Sequence, residues 1–329
     1  MKRPPVSPFL VLAIGILAVS TASIFIRFAQ QEAPSLVIAA WRMALAALVL
    51  APFALTRRSG ELRGLKGGDL GLALLSGFFL AVHFAAWISS LAYTSVASSV
   101  VLVSTAPLWV ALLSPLTLKE PLRRPVMLGM LLALVGGVIV SVSDTCSWGA
   151  AGLACPPLSE FVHGRAFWGD LLALTGAWAV AGYLIIGRRL RVRVSLLSYI
   201  FVVYGMAALV LVGVALLSGL PFFGYSPQTY LIFLGLALIP QLLGHTTFNY
   251  ALAYLSAAFV SVAALGEPVG SSILAYFLLA ETPSALKLAG AVLILVGIFI
   301  ASRSPAAPET GEAQGDEVDE LSAEVSQQE

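Results

Sequence analysis

The sequence is poor in charge: Asp, Glu, Lys and Arg make up 11% of its 329 residues. An ordinary soluble domain carries about 25%, so a typical cytosolic enzyme is excluded. Cysteine is nearly absent, with only Cys146 and Cys155, and two thiols cannot build a four-ligand zinc site. No GxxxxGK[ST], HExxH or GxSxG pattern occurs, which excludes an ATP-driven pump with its motor in the same chain. No catalytic residue, metal site, cofactor or nucleic-acid partner is expected. What the chain has in quantity is apolar residues, at 59%. The net charge of +1 conceals an asymmetry: eight of the 17 acids follow Ser304, so the remainder sets 18 bases against nine acids.

A helix needs roughly 20 apolar residues to cross a bilayer. Ten runs of that length occur, at about 8–30, 34–56, 69–94, 96–117, 123–143, 166–187, 195–218, 228–253, 256–279 and 284–303. A membrane barrel would show alternating segments of about ten residues instead. The first run follows Lys2 and Arg3 like a signal peptide, but it is too long and lacks a convincing cleavage site. It reads as an uncleaved membrane helix. The expectation is an all-α membrane protein of ten transmembrane helices.

The ten runs form two sets of five. A shift of 161 residues aligns the halves without a gap, with 16 identities in 50 between residues 91–140 and 252–301. Leu91-Ala92-Tyr93 falls on Leu252-Ala253-Tyr254, Pro107 on Pro268, Glu120 on Glu281, Gly129 on Gly290 and Gly136 on Gly297. An odd number of spans per repeat requires the halves to sit oppositely in the membrane. With the N-terminus cytoplasmic, inside ends and loops hold 14 Lys and Arg and outside loops hold two, Arg165 and Lys287, as the positive-inside rule demands. Equivalent loops also exchange their charge: Arg57 to Lys66 is basic, whereas Ser218 to Pro227 has no charge. The halves are expected to be inverted five-helix repeats, an architecture of secondary transporters.

Each half resembles the EamA repeat of the drug/metabolite transporter superfamily over nearly residues 8–303. The resemblance rests on Leu91-Ala92-Tyr93…Pro107…Glu120…Gly129…Gly136 and on Leu252-Ala253-Tyr254…Glu267-Pro268…Glu281…Gly290…Gly297. Arg42 also stands where that family commonly has an Arg early in its second span, while its equivalent in the second half is Val203. The resemblance implies a metabolite transporter, often an exporter, with a central cavity between spans 1, 3, 4, 6, 8 and 9. The implied domains are a cytoplasmic N-terminus (1–7), the first repeat (8–143), an external loop (144–165), the second repeat (166–303) and an acidic cytoplasmic tail (304–329). The tail is expected to be disordered.

Polar groups within the spans are the candidates for transport, because hydrocarbon penalises them. Glu267 lies midway along the ninth span beside the helix-bending Pro268. It reads either as a substrate ligand or proton carrier, or as a protonated acid bonded between helices. Gln241, His245 and Asn249 recur every four residues and so share one helix face. They line a cavity or tie helices together. His83 and Trp87 repeat that spacing on the third span, and Trp178 and Tyr183 on the sixth are candidate cavity walls; packing is the alternative for each. Glu267, His83 and His245 are the proton-coupling candidates.

The remaining polar residues are weaker candidates or read as structural. Ser20, Thr21, Ser104 and Thr105 are expected to bond back to their own helices. Arg42 either meets an anion or buried acid, or snorkels to the headgroups. Glu120 and Glu281 are expected to cap the helices that follow them. The paired glycines fit close helix approach, within the chain or in a homodimer. Cys146 and Cys155 are a disulfide candidate on the external side. Together these readings describe a multi-pass inner-membrane transporter with both termini cytoplasmic, moving a small-molecule substrate such as an amino acid by alternating access. A channel-like facilitator and a membrane-embedded lipid-modifying enzyme are the alternatives.

Overall fold

In a bilayer every backbone N–H and C=O must be satisfied within the protein, so apolar runs of this length fold as helices. The computed structural model describes residues 4–93, 99, 102–145, 147–149, 152–154, 165–279 and 285–302. Its elements run α1 (Pro8–Val19), α2 (Ala22–Ala29), α3 (Ser35–Arg57), α4 (Ser59–Arg63), α5 (Gly67–Ser90), α6 (Ala106–Thr117) and α7 (Arg124–Thr145). After a two-stranded hairpin, β1 (Ser147–Gly149) and β2 (Gly152–Ala154), come α8 (Arg165–Arg191), α9 (Leu196–Leu217) and α10 (Pro227–Leu236). A π-helical stretch, Ala237–His245, leads into α11 (Thr246–Ala251), followed by α12 (Ala257–Ala264), α13 (Gly266–Leu279) and α14 (Ala285–Ser302). Six helical stretches are long and apolar enough to cross a membrane, and four shorter apolar helices accompany them. Among the described residues the hairpin is the departure from the expected all-α chain, and it lies in the loop between the halves.

Local chemistry sets the helix ends. Ser195, Ser226 and Ser256 each accept the backbone N–H three residues ahead, at the starts of α9, α10 and α12, which satisfies one of the free donors of a first turn. Proline stands in the first turn of α1, α6 and α10, where its missing N–H costs nothing.

Three expected single helices are interrupted. The first breaks at Ser20–Thr21, between α1 and α2. The fourth and ninth break at equivalent places, Ser104–Thr105 before α6 and Leu265 before α13. The sequence suggested a bend at Pro268; the break comes three residues earlier, and Pro268 sits in the first turn of the new helix. The eighth stays continuous but widens into its π-helical stretch around Pro240.

α7 lies along α14, α3 along α9 and α5 along α8. Glycine decides the first contact. A Cβ on Gly136 would stand 2.6 Å from the Gly290 carbonyl oxygen, and one on Gly297 would stand 2.5 Å from that of Gly129. Those distances are shorter than a real Cβ tolerates, so the backbones touch only because side chains are missing. Gly129 pairs with Gly297 and Gly136 with Gly290, so these repeat-equivalent helices run antiparallel. The notches are filled within the chain, which answers where spans five and ten use their glycines.

Candidate functional site

Some of the bulkiest fully buried side chains are polar: Arg42, Tyr183, Tyr199 and Tyr204. Arg42, on α3, is 1% exposed, so the snorkelling alternative is wrong. Its Nε donates to Gln241 Oε1 at 2.9 Å, and its guanidinium lies over the Phe84 ring, 4.1 Å from the centroid. Phe84 also meets His83 and, edge-on at 5.2 Å, His245. Tyr183 approaches His245 from α8 at 6.3 Å between centroids. Asn249 Nδ2 donates to Tyr183 Oη at 2.5 Å and to Tyr204 Oη at 3.4 Å. Side chains from both halves therefore converge on one buried cluster.

The cluster lies on the pseudo-two-fold axis. Phe84 and His245 are 161 positions apart, hence equivalent in the two repeats. Equivalent residues are equally far from the axis, so rings in contact place the axis between them. Transporters built from inverted repeats hold substrate at such a repeat interface.

Several polar atoms of this cluster lack a partner. Among the described residues, Arg42 Nη1, Gln241 Nε2, His245 Nδ1, Asn249 Oδ1 and Trp87 Nε1 are buried without a hydrogen bond. A buried unsatisfied group ordinarily costs about 1–3 kcal/mol, and more when charged, so their concentration here singles out the cluster as the candidate site. His83 is partly committed: its Nδ1 faces the Gly176 carbonyl at 2.9 Å, and since a carbonyl only accepts, Nδ1 carries the proton. Its ring stacks on Trp87 at 5.9 Å.

Glu267 reaches the same region from α13. It occupies the first turn of that helix, where the dipole favours a carboxylate, and it lies half-buried within Coulombic reach of Arg42. Ser20 Oγ donates to the Glu267 carbonyl at 3.2 Å, so the break between α1 and α2 meets the break between α12 and α13. Ser20, Thr21 and Thr105 also donate to carbonyls of their own helices, as expected.

Of the residues singled out from the sequence, His83, Trp87, Tyr183, Gln241, His245 and Asn249 belong to the cluster, and Glu267 faces it through Arg42. Trp178 does not join them. It is 50% exposed and meets Trp109 edge-on at 5.4 Å. Cys146 and Cys155 lie outside the described residues, as do Glu281 and the tail after Ser302. The sequence reading left Phe84 and Tyr204 out of the site and left Arg42 open between an anion or buried acid and the headgroups. Repeat arithmetic held a signal for Phe84, the equivalent of His245; nothing local marks Tyr204.

The ends of the bundle carry their own polar chemistry. At the arginine-rich end, Arg188 Nε meets Glu120 Oε1 at 2.6 Å and Arg188 Nη1 donates to the Leu252 carbonyl at 3.0 Å. Glu120 therefore ties the halves together instead of capping α7, and the chain reaches it through a left-handed turn at Lys119. Glu61 accepts from the Ser195 N–H and from the Ser195 and Ser198 hydroxyls. Partial burial pushes the Glu61 carboxyl up, but these bonds and nearby Arg58 outweigh it and hold it below its ordinary 4.5. At the other end Glu32 accepts from the Ser226 N–H and the Thr229 hydroxyl, and these bonds hold it below 4.5 as well.

The EamA-like transporter family matches residues 7–142 and 167–303. Two proteins of Archaeoglobus fulgidus, each named an uncharacterized transporter, are similar to the chain. One is 22% identical over 293 residues, covering 88% of this chain and 96% of the relative. The other is 25% identical over 292 residues, covering 89% and 95%. A solved crystal structure superposes with a TM-score of 0.73 at 20% identity, covering 90% of this chain and 96% of that one; at that identity the likeness shows the fold.

Proposed function

The chain belongs to the EamA-like transporter family, and on that premise we propose that it exports small polar metabolites, amino acids or close relatives, across an inner membrane by alternating access. Ten crossings in two inverted halves carry the cycle, with the arginine-rich end and both termini on the cytoplasmic side, where basic loops are retained. The observation that supports this reading is the contact between Phe84 and His245: a polar cluster on the axis relating two mobile halves can be exposed to either side in turn.

In this reading the substrate is held by Gln241, His245 and Asn249 on one wall and His83, Trp87 and Tyr183 on the other. Glu267, His83 and His245 are the groups that carry a coupled proton.

The test is efflux from proteoliposomes loaded with a mixed pool of labelled amino acids, with and without a pH gradient, beside Glu267→Gln. We expect saturable, counter-substrate-accelerated efflux that responds to the gradient in the wild type only. Linear flux without counterflow would indicate a channel, and absence of flux from folded protein would overturn the substrate assignment. Gradient-independent efflux in both proteins would keep the carrier and make Glu267 structural.

A further inference from the structure

We propose that Arg42 and Gln241 form a carboxylate-binding subsite within this cluster, with Arg42 Nη1 and Gln241 Nε2 as its two donors. The inference rests on the cluster being the transport site, and adds the chemical group by which a substrate is fixed there.

The geometry carries it. The bond from Arg42 Nε to Gln241 Oε1, 2.9 Å long, sets the guanidinium beside the amide. It consumes the amide acceptor and one guanidinium donor. Phe84 covers one face of the guanidinium at 4.1 Å from the ring centroid, and the remaining N–H groups lie in the plane of that planar group. Arg42 Nη1 is left buried and without a hydrogen bond among the described residues, and Gln241 Nε2 is buried beyond the distance of a good one, with the Tyr204 hydroxyl beside the amide. Two N–H donors on linked planar groups suit a planar acceptor with two oxygens, and a charged donor strengthens such a bond. Both residues are at most 1% exposed.

Charge then narrows the ligand. Arg42 is the one cation in the described cluster, and Glu267 lies within its Coulombic reach. With the Glu267 carboxyl protonated, a monoanion balances the guanidinium, whereas a dianion such as a phosphate monoester leaves surplus negative charge beside Glu267. A carboxylate is therefore favoured over a phosphate. The second half supplies the amide and the first half the cation, so the anion bridges the two halves.

Gln241→Glu is the informative variant. The new carboxylate pairs with Arg42 inside the protein and so preserves folding, yet it occupies the guanidinium and repels an incoming anion. In proteoliposomes, the amino acids of the pool would be competed by unlabelled amino acids and by the corresponding amides. We expect wild type to be inhibited by acids at least tenfold better than by amides, and Gln241→Glu to lose that preference while its melting temperature is maintained. Amides competing as well as acids in the wild type would overturn the subsite and leave the transporter reading intact, as would an undiminished preference for acids in Gln241→Glu. Should the wild type move none of the pool, the amino-acid assignment falls. Melting curves of the detergent-solubilised full chain then decide the subsite. Stabilisation of wild type but not of Gln241→Glu by leucine, and not by leucinamide, upholds it; no stabilisation, or stabilisation by inorganic phosphate alone, overturns it.

Discussion

The two ends of the bundle are built from equivalent positions and yet differ in how firmly they join the halves. At the arginine-rich end Arg191 Nε donates to the Asn249 carbonyl at 3.0 Å; at the opposite end Gln30 Nε2, its equivalent, donates to the Ile88 carbonyl, equivalent to Asn249, at 3.2 Å. Arg193 reaches Asp69 at one end, and Glu32, the equivalent of Arg193, reaches Ser226 and Thr229 at the other. The described contacts are not all matched: Glu61 holds Ser195 and Ser198, and its equivalent is Phe222. Arg188 is buried and bound to Glu120 and Leu252, whereas its equivalent Arg27 is exposed, and Glu281, the equivalent of Glu120, lies outside the described residues. The lesson is that duplication copied part of the framework of contacts, while among the described residues the buried ion pair that joins the halves is the one Arg188 makes at the arginine-rich end.

Reversing that pair has the largest expected effect. Arg188→Glu places two carboxylates together in a partly buried site, and losing one partner of such a pair costs about 3–5 kcal/mol at full burial. With side chains 10% and 18% exposed, the lower part of that range applies, enough to open the arginine-rich end. Efflux in proteoliposomes should fall at least tenfold. The double variant Arg188→Glu with Glu120→Arg should recover part of it, because the ion pair returns but the bond to the Leu252 carbonyl does not. No recovery in a folded double variant would show that the carbonyl bond, not the ion pair, ties the ends.

How much of this was legible in the sequence follows from the range over which each signal acts. The spans, the duplication and the shared face of Gln241, His245 and Asn249 are periodic features, so a single chain displays them. The break before α13 was legible only as proline nearby, because the residue that leaves the helix is Leu265 and proline occupies the next first turn. Arg42 was ambiguous, since burial and snorkelling differ only in what surrounds the side chain. The two groups that meet its guanidinium, the Phe84 ring and the Gln241 amide, were invisible for the same reason: Gln241 lies 199 positions from Arg42. Glu120 misled because a carboxylate ahead of a helix usually caps it, and only the fold brings Arg188 beside it.

The comparison sharpens further in acid. Glu61 and Glu32 are both held below 4.5 in the folded protein, so each contributes stability that is present above that ordinary value and lost as pH falls through the lower folded value. Glu61 is half-buried with bonds to two serines; Glu32 is exposed. The melting temperature of wild type should therefore fall as pH drops below about 4.5. Glu61→Gln should flatten that fall visibly and Glu32→Gln less. Equal flattening by the two would remove the distinction between the ends at the level of their carboxylates.

The smallest effect is expected at Asp69. Its pair with Arg193 is short, at 2.6 Å, but the side chains are 22% and 47% exposed, and an exposed ion pair contributes roughly 0.2–1 kcal/mol because solvent screens it and two long side chains must be held. Asp69→Asn should lower the melting temperature only slightly, with most of the difference gone at high salt. The same substitution should leave efflux within about twofold of wild type, since that energy corresponds to a factor of a few. An effect as large as that of Arg188→Glu would mean that the arginine-rich end is held by its charge as a whole, and that the single buried pair is not what separates the two ends.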